Sequence, residues 1–568
     1  MKPVRLSATA TIALPRWGLI ALCLLYILPG IARRDPWKMD DAAGFGIMWT
    51  MAHGTLSDWL LPNIVGLSMP SEAPLAYWIG ALLIRAFGWL TGDALAARLS
   101  ILVFFAIGAL AVWRTAFVLG RRAEAQPLKL AFGGQPAALD YGRTLADGAL
   151  LIYVASLGLL LRSHETASPA LQVSLVALAL YGAASLFDRP NKRSVLGLGI
   201  CIGLLYLASG WITPLLLMTA LIVVSVVRYR TILPRLAIVA LIASIPLVIL
   251  LLARQKLGTA GAVDTWVVEI SRLTSSPTVS STSKLLKTLL WFTWPAWPIA
   301  LWAVYAWRAQ VTLHILLPAV IVLIFIVAAL FGTGTKDYFL LPLLPPLAIL
   351  ATFGLPTLKR GAINAIDWFA VTTLSSIAAF IWLGWVAKQT GWPASLARNA
   401  LRQVPNFQPE FNVFAVIIAL MTTVGWLLLL RWRLGRHPGV LWRAVVLSTG
   451  GIVLCWVLLM TLWLPWLNYR QSYVLVTQQL VAKLPDSYRC VDTDDLGAAQ
   501  RASFAYFGNI KFGQQGSASC EFLLVQDSGV GLKGNTIKQV SPKFSLLWQG
   551  RREADKRELF RLFRRDAP

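Results

Sequence analysis

The sequence predicts a polytopic, all-α membrane protein with about thirteen transmembrane helices and a small α/β domain at its C-terminal end. Three observations carry this. Of 568 residues, 57% are hydrophobic and only 14% are charged, whereas soluble domains carry about a quarter charged residues. The apolar residues come in runs as long as a bilayer requires. The basic residues collect in the short links between those runs.

Runs able to cross a hydrocarbon core of about 30 Å lie near Trp17–Ala32, Leu95–Leu119, Ala146–Leu161, Pro169–Phe187, Val195–Ser209, Ile212–Val227 and Leu236–Leu252. Six more lie near Thr288–Trp307, Leu313–Phe331, Phe339–Leu355, Trp368–Val386, Phe411–Leu430 and Val445–Leu464. The first run follows a basic start, as in a signal peptide. No small-residue cleavage site follows Gly18–Ala32, and Arg33–Arg34 comes next, so it reads as a retained first helix.

The formal net charge of +25 would suggest nucleic acid in a soluble chain. Here it sits in links, as in Arg121, Arg122, Lys359, Arg360, Arg431, Arg433 and Arg436. That is the positive-inside pattern, and no nucleic-acid partner is expected. Lys2, Arg5 and Arg16 place the N-terminus in the cytoplasm. Alternation then puts 121–129, 188–193, 228–235, Arg308, Lys359–Arg360 and 431–436 on the same side. An odd number of spans leaves the C-terminal tail outside the cytoplasm, which in a bacterial inner membrane is the periplasm.

The outer links differ. The first, residues 33–94, is long and holds Asp35, Asp40, Asp41, Asp58, Glu72 and Asp93, with apolar stretches at Phe45–Met51 and Leu75–Phe87 that read as helices at the membrane surface. Loops of that length usually carry function. The others are Arg254–Lys287 and Lys388–Glu410. Residues 1–466 thus form a membrane domain and 467–568 a small α/β domain. In the tail, helices are predicted at Tyr473–Leu484 and Ala498–Phe507, and strands at Arg489–Asp492, Glu521–Gln526, Phe544–Trp548 and Glu558–Phe563. The tail offers no catalytic cluster and reads as accessory. Cys23, Cys201 and Cys455 lie in apolar runs as packing residues. Cys490 and Cys520 form a disulfide if the tail meets an oxidising compartment, and stay two thiols otherwise.

Acids at the membrane edge are the candidates for chemistry. Asp40 and Asp41 follow the first helix. Adjacent carboxylates repel, so one of them can be a proton acceptor near neutrality; the bland alternative is a solvated pair capping a helix Ala42–His53. Glu72 stands between Pro70 and Pro74, ahead of Tyr77–Trp78, either as a site acid or as a helix N-terminal acid. His164–Glu165 ends the third span and can bind metal, move protons or recognise an acceptor, or can be a polar helix end. Lys336-Asp337-Tyr338 precedes a proline-rich run; Lys336 can hold a lipid phosphate or snorkel, and the prolines would bend the helix and open a lateral groove. Trp291, Trp294 and Trp297 read as an aromatic belt.

The order of these features resembles a known family. A first helix leads into an acidic pair in a long outer loop, then Glu72-x-Pro-x-x-Tyr-Trp78, then Lys336-x-Tyr338 with prolines after it. This looks like the C-type (GT-C) membrane glycosyltransferases that use polyprenyl-phosphate sugars. It is most similar to the aminoarabinose branch, which modifies lipid A, and is related to the protein O-mannosyltransferases. The resemblance spans roughly residues 16–463. It implies Asp40 as the catalytic aspartate, Asp41 as the adjoining acid, Glu72 as an acid associated with a metal, Glu165 as a further outward acid beside His164, and Lys336 as a basic residue facing the donor phosphate. The aminoarabinose branch has Glu-Lys-Pro where this chain has Glu72-Ala73-Pro74, and no histidine is placed to complete a metal site.

The expected activity is transfer of a sugar from a polyprenyl-phosphate donor to a lipid or glycan acceptor, lipid A-like in that branch. Asp40 would be the base and Glu72 would orient the acceptor or a divalent metal. Lys336, Tyr338 and Arg272 would hold the phosphate. Attack opposite the leaving group would invert the anomeric centre. A transporter or flippase is the rival class. It expects internal repeats and mid-membrane charge, whereas here the acids gather in one outer loop.

Overall fold

A computed structural model of the chain describes residues 4–129, 133–256, 276–332, 337–404, 407–435, 441–513, 520–528, 544–555 and 558–565. The membrane region begins with α1 (Arg16–Ile27). The first long loop then folds as α2 (Asp40–His53), α3 (Leu56–Leu60), a two-stranded hairpin of β1 (Asn63–Ile64) and β2 (Leu67–Ser68), and α4 (Leu75–Thr91). Next come α5 (Asp93–Gly120), α6 (Ala138–Ala155), α7 (Leu157–Arg162), α8 (Ser168–Asp188), α9 (Lys192–Ser209), α10 (Ile212–Arg228) and α11 (Leu233–Lys256). They are followed by α12 (Val279–Phe292), α13 (Ala296–Ala306), α14 (Leu313–Phe331), α15 (Asp337–Leu340), α16 (Leu344–Thr352), α17 (Arg360–Thr390), α18 (Ala394–Gln403), α19 (Val413–Leu434), α20 (Arg443–Leu462) and α21 (Leu464–Gln471).

Among the described residues, nine helical stretches are long and apolar enough to cross a membrane. They are α5, α8, α9, α11, α14, the stretch Tyr338–Thr357 that contains α16, α17, α19 and α20. The chain is a multi-pass membrane protein. The other four predicted runs fall on shorter or broken helices. Thr288–Trp307 splits into α12 and α13 because Pro295 has no N–H to continue the ladder. Ala146–Leu161 splits at Ser156, whose hydroxyl donates to Ile152 O at 2.9 Å.

The proline-rich run bends as predicted, through a 3-10 turn at Leu341–Leu343. It opens no lateral groove, however. Leu340, Leu341, Leu343 and Leu344 are fully buried, because this stretch packs in the middle of the bundle against α14 and α6. The lipid-facing surface lies elsewhere. On α17 and α19, Phe380, Phe414 and Met421 are exposed, as suits helices solvated by acyl chains.

The tail contributes α22 (Val474–Val481), β3 (Val491–Asp494), α23 (Ala498–Gly508), β4 (Phe522–Ser528), β5 (Phe544–Gly550) and β6 (Glu558–Arg565). The sheet order is β3-β4-β6-β5, with β3 and β4 parallel and the other pairs antiparallel. Helix α23 is therefore a crossover between parallel strands. Tyr473, Val476, Leu480, Phe504, Phe522, Leu524, Phe560 and Leu562 make its core. Cys490 and Cys520, at the starts of the two parallel strands, form a disulfide.

This domain sits on the first loop. Arg501, only 1% exposed, donates to Ile64 O at 3.0 Å and Val65 O at 2.6 Å in the hairpin, and to Gly513 O and Thr493 Oγ1 in its own domain. Helix α2 lies between the two domains and approaches both backbones closely. A Cβ on Gly44 would stand 2.1 Å from Thr166 O, and one on Gly46 would stand 2.4 Å from the Ala502 Cβ.

Candidate active site

The site is built where the chain leaves α1 and enters α2. Met39, the residue before the helix, has φ +69° and ψ −135°. L side chains seldom adopt that backbone conformation, which costs on the order of 1–3 kcal/mol and recurs at functional sites. Here it sets the start of α2, from which the two adjacent carboxylates reach different partners.

Asp41 points inward and is 1% exposed. It pairs with Arg34 at 3.1 Å and Arg98 at 3.6 Å. It also accepts from Trp37 N at 3.0 Å and from Thr166 N and Oγ1, each at 2.9 Å. Burial alone would raise its pKa, but the Arg34 and Arg98 guanidiniums and the backbone donors outweigh burial and hold it below the ordinary carboxylate range. The expected repulsion that would make one of the pair a base near neutrality is therefore absent at Asp41. Its charge is spent on bracing the loop.

Asp40 points outward, with its side chain 54% exposed. It accepts from Arg162 at 2.7 Å. The same guanidinium nitrogen donates to Glu165 at 2.7 Å, so Arg162 joins two acids that lie on different elements. Glu165 is 9% exposed. Burial pushes its pKa up to about 7, against the pull of Arg162.

His164 turns away from these acids. It is 1% exposed, and its ring nitrogens lie 2.6 Å from Leu160 O and 2.9 Å from Tyr26 O. Burial pushes its pKa down, against the pull of the two carbonyl oxygens. The adjacency in sequence that suggested a His–acid pair does not survive folding.

Asp40, Glu72 and Arg162 line a single cavity of about 670 Å³ at the end of the helical bundle. Glu72 accepts from Tyr77 Oη at 2.6 Å, with Tyr77 itself 2% exposed. Gln172, Ser209 and Tyr338 close the bundle side. The Tyr338 hydroxyl donates to Ser209 O at 2.6 Å and so is tied into the wall. Lys336 and Arg272 lie outside the described residues.

The remaining wall comes from the C-terminal domain, which supplies Tyr473, Gln500, Asp555 and Glu558. Arg552, 4% exposed, pairs with Asp555 and Glu558, each at 3.0 Å. Lys38 of the first loop reaches Asp555 at 3.6 Å. Tyr473 Oη donates to Glu558 at 3.2 Å. The domain read from sequence as accessory thus forms one side of the cavity.

Among the described residues, no three His, Cys, Asp or Glu side chains come together closely enough to hold a metal ion. Glu72 has a tyrosine hydroxyl as its neighbour, and His164 faces elsewhere. Among the described residues this donor set does not fit a divalent cation.

No protein-family model and no curated protein sequence matches the chain. Its structure does have counterparts. It superposes on the crystal structure of ArnT from Cupriavidus metallidurans bound to undecaprenyl phosphate with a TM-score of 0.66, over 96% of this chain and 97% of that one, at 14% identity.

The chain has the ArnT fold.

The apo state of the same ArnT gives a TM-score of 0.62 at 15% identity, over the same shares of both chains. Coverage is nearly complete on both sides, so the likeness extends past the membrane helices into the tail. The resemblance to the C-type glycosyltransferases read from short motifs therefore holds at the level of the ArnT fold.

Proposed function

We propose that this chain is an integral-membrane glycosyltransferase that moves a sugar from a polyprenyl-phosphate donor to a lipid or glycan acceptor. The observation that carries the reading is the cavity at the bundle end, in which Asp40 keeps a half-exposed carboxylate beside Arg162 while the other acids are committed to partners. The ArnT likeness supports it, because one of the two ArnT structures carries undecaprenyl phosphate.

In this reading the acceptor hydroxyl lies against Asp40, which takes its proton as the oxygen attacks the anomeric carbon. The bond from that carbon to the phosphate oxygen breaks, and the electron pair leaves with the lipid phosphate. A single displacement of this kind inverts the centre. Arg162 orients the Asp40 carboxylate. Glu72, fixed by Tyr77 and the flanking prolines, positions the acceptor. The leaving phosphate needs a cation, and Lys336 and Arg272 are the proposed ones.

The cavity faces the periplasm in this proposal. Two features support that. The basic links lie on the opposite side of the helix alternation. The domain that walls the cavity carries the Cys490–Cys520 disulfide, which persists in an oxidising compartment.

The test is transfer from radiolabelled polyprenyl-phosphate sugars in membranes at matched expression. Label should move into a lipid or glycan with wild type, and should be lost with Asp40→Asn and Glu72→Gln. Full transfer by Asp40→Asn would remove the base assignment.

A further inference from the structure

A second recess lies at the rim of the membrane region, sharing no residue with the cavity above. It forms where span α17 ends and the amphipathic helix α18 begins. Lys388 stands on the last turn of α17. Its ammonium donates to Leu462 O at 3.4 Å and lies over the rings of Trp463, at 5.1 Å, and Phe407, at 5.4 Å. Among the described residues no carboxylate lies within 4.0 Å of it, so an ammonium with three donors makes one long hydrogen bond.

A pocket of about 80 Å³ opens beside this lysine, walled by Ala387, Gly391, Ala397, Leu401 and Trp466. That is the room of about two or three waters, enough for a phosphate group and too small for a sugar. Helix α18 turns Ala397 and Ala400 toward the pocket, while Arg398 and Arg402 are exposed. Trp392 stands exposed nearby. Aromatic side chains at that level mark the headgroup region of a bilayer. A snorkelling lysine would carry its charge out to water, but here the charge folds back over two rings and beside an apolar recess.

We propose that this recess binds the phosphate headgroup of an anionic membrane lipid, with Lys388 on the phosphate, Arg398 and Arg402 supplying the surrounding positive field, and the apolar walls taking the first carbons of the lipid. The charge complementarity is the argument. The recess offers an uncompensated cation at headgroup depth, and the one abundant anion at that depth is lipid phosphate. The inference does not depend on the transferase reading, because its residues are separate from Asp40 and Glu72.

The experiment is native mass spectrometry of the full chain released from detergent after titration with dioleoylphosphatidylglycerol, with diolein and inorganic phosphate as separate arms. Wild type, Asp40→Asn and Lys388→Arg should retain the phospholipid. Lys388→Met and Lys388→Gln should weaken retention by about ten- to a hundred-fold, the scale of a lost charge-assisted hydrogen bond. Equal retention by Lys388→Met, or diolein held as well as phospholipid, would overturn the proposal. So would inorganic phosphate displacing the lipid at equal concentration, which would make the site one for free phosphate. If both lysine variants lose the native thermal transition, the three-ligand comparison on wild type decides alone.

Discussion

The two walls of the cavity handle charge differently. On the bundle wall, Asp40 is half exposed and touches one guanidinium nitrogen that it shares with Glu165. On the tail wall, Glu558 is enclosed by Arg552, Tyr473 and Gln500, and Asp555 by Arg552 and Lys38. A carboxylate that must accept a proton needs an open oxygen, while one that shapes a pocket needs its lone pairs occupied. In the proposed mechanism the bundle wall therefore presents the reactive group, and the tail wall presents fixed polarity.

The comparison can be broken most directly at Asp40. Asp40→Asn should lower transfer by about 10²- to 10⁴-fold, the usual contribution of a general base, while Glu558→Gln should leave measurable turnover and act mainly on KM. Comparable losses of kcat in both variants would erase the distinction between the walls. The next largest effect concerns folding. Asp41→Ala strands Arg34 and Arg98 in the interior, and removing one partner of a buried pair costs about 3–5 kcal/mol, so the thermal transition in detergent should fall sharply while Asp40→Asn leaves it in place.

A smaller effect isolates the tail wall. Cys490→Ser opens a link between residues 30 apart in sequence. It should destabilise the C-terminal domain by about 2–4 kcal/mol, read as faster proteolysis of the tail with the bundle intact.

The smallest effect is a pH profile. Glu165 has its folded pKa raised to about 7 from 4.5. Between those values the native state holds a proton that the unfolded state has lost, so stability falls as pH rises through that window. Glu165→Gln should flatten that fall. It should also remove a step near pH 7 in the transfer rate, because ionised Glu165 competes with Asp40 for Arg162. An unchanged profile in the variant would detach Glu165 from the bundle wall's chemistry.

Much of this was legible in the residues. The apolar runs all fall on helices, because hydrocarbon forces the backbone to satisfy itself within the segment. The tail's strands and helices lie within a few residues of their predicted places, since period-two and period-3.6 patterns are local. Asp40 and Glu72 stood out as acids at the edge of apolar sequence, and both line the cavity. Arg162 was within view in Arg162-Ser163-His164-Glu165, and a cation beside an acid at a helix end was the available signal. Its role needed a contact across 122 residues of chain. The fates of Asp41 and His164 were not legible either, because each is set by partners far away in the chain: Thr166 for Asp41 and Tyr26 for His164.

The sequence alone determined that this chain lives in a membrane, which stretches of it are helical, and which loop carries its acids. Those properties follow from local hydrophobicity and covalent backbone chemistry. Only the tertiary structure decided which acid is open and which is locked, that Arg162 joins Asp40 to Glu165, and that the tail forms one side of the cavity. Those properties depend on burial and on partners distant in the chain, and no local pattern of residues encodes them.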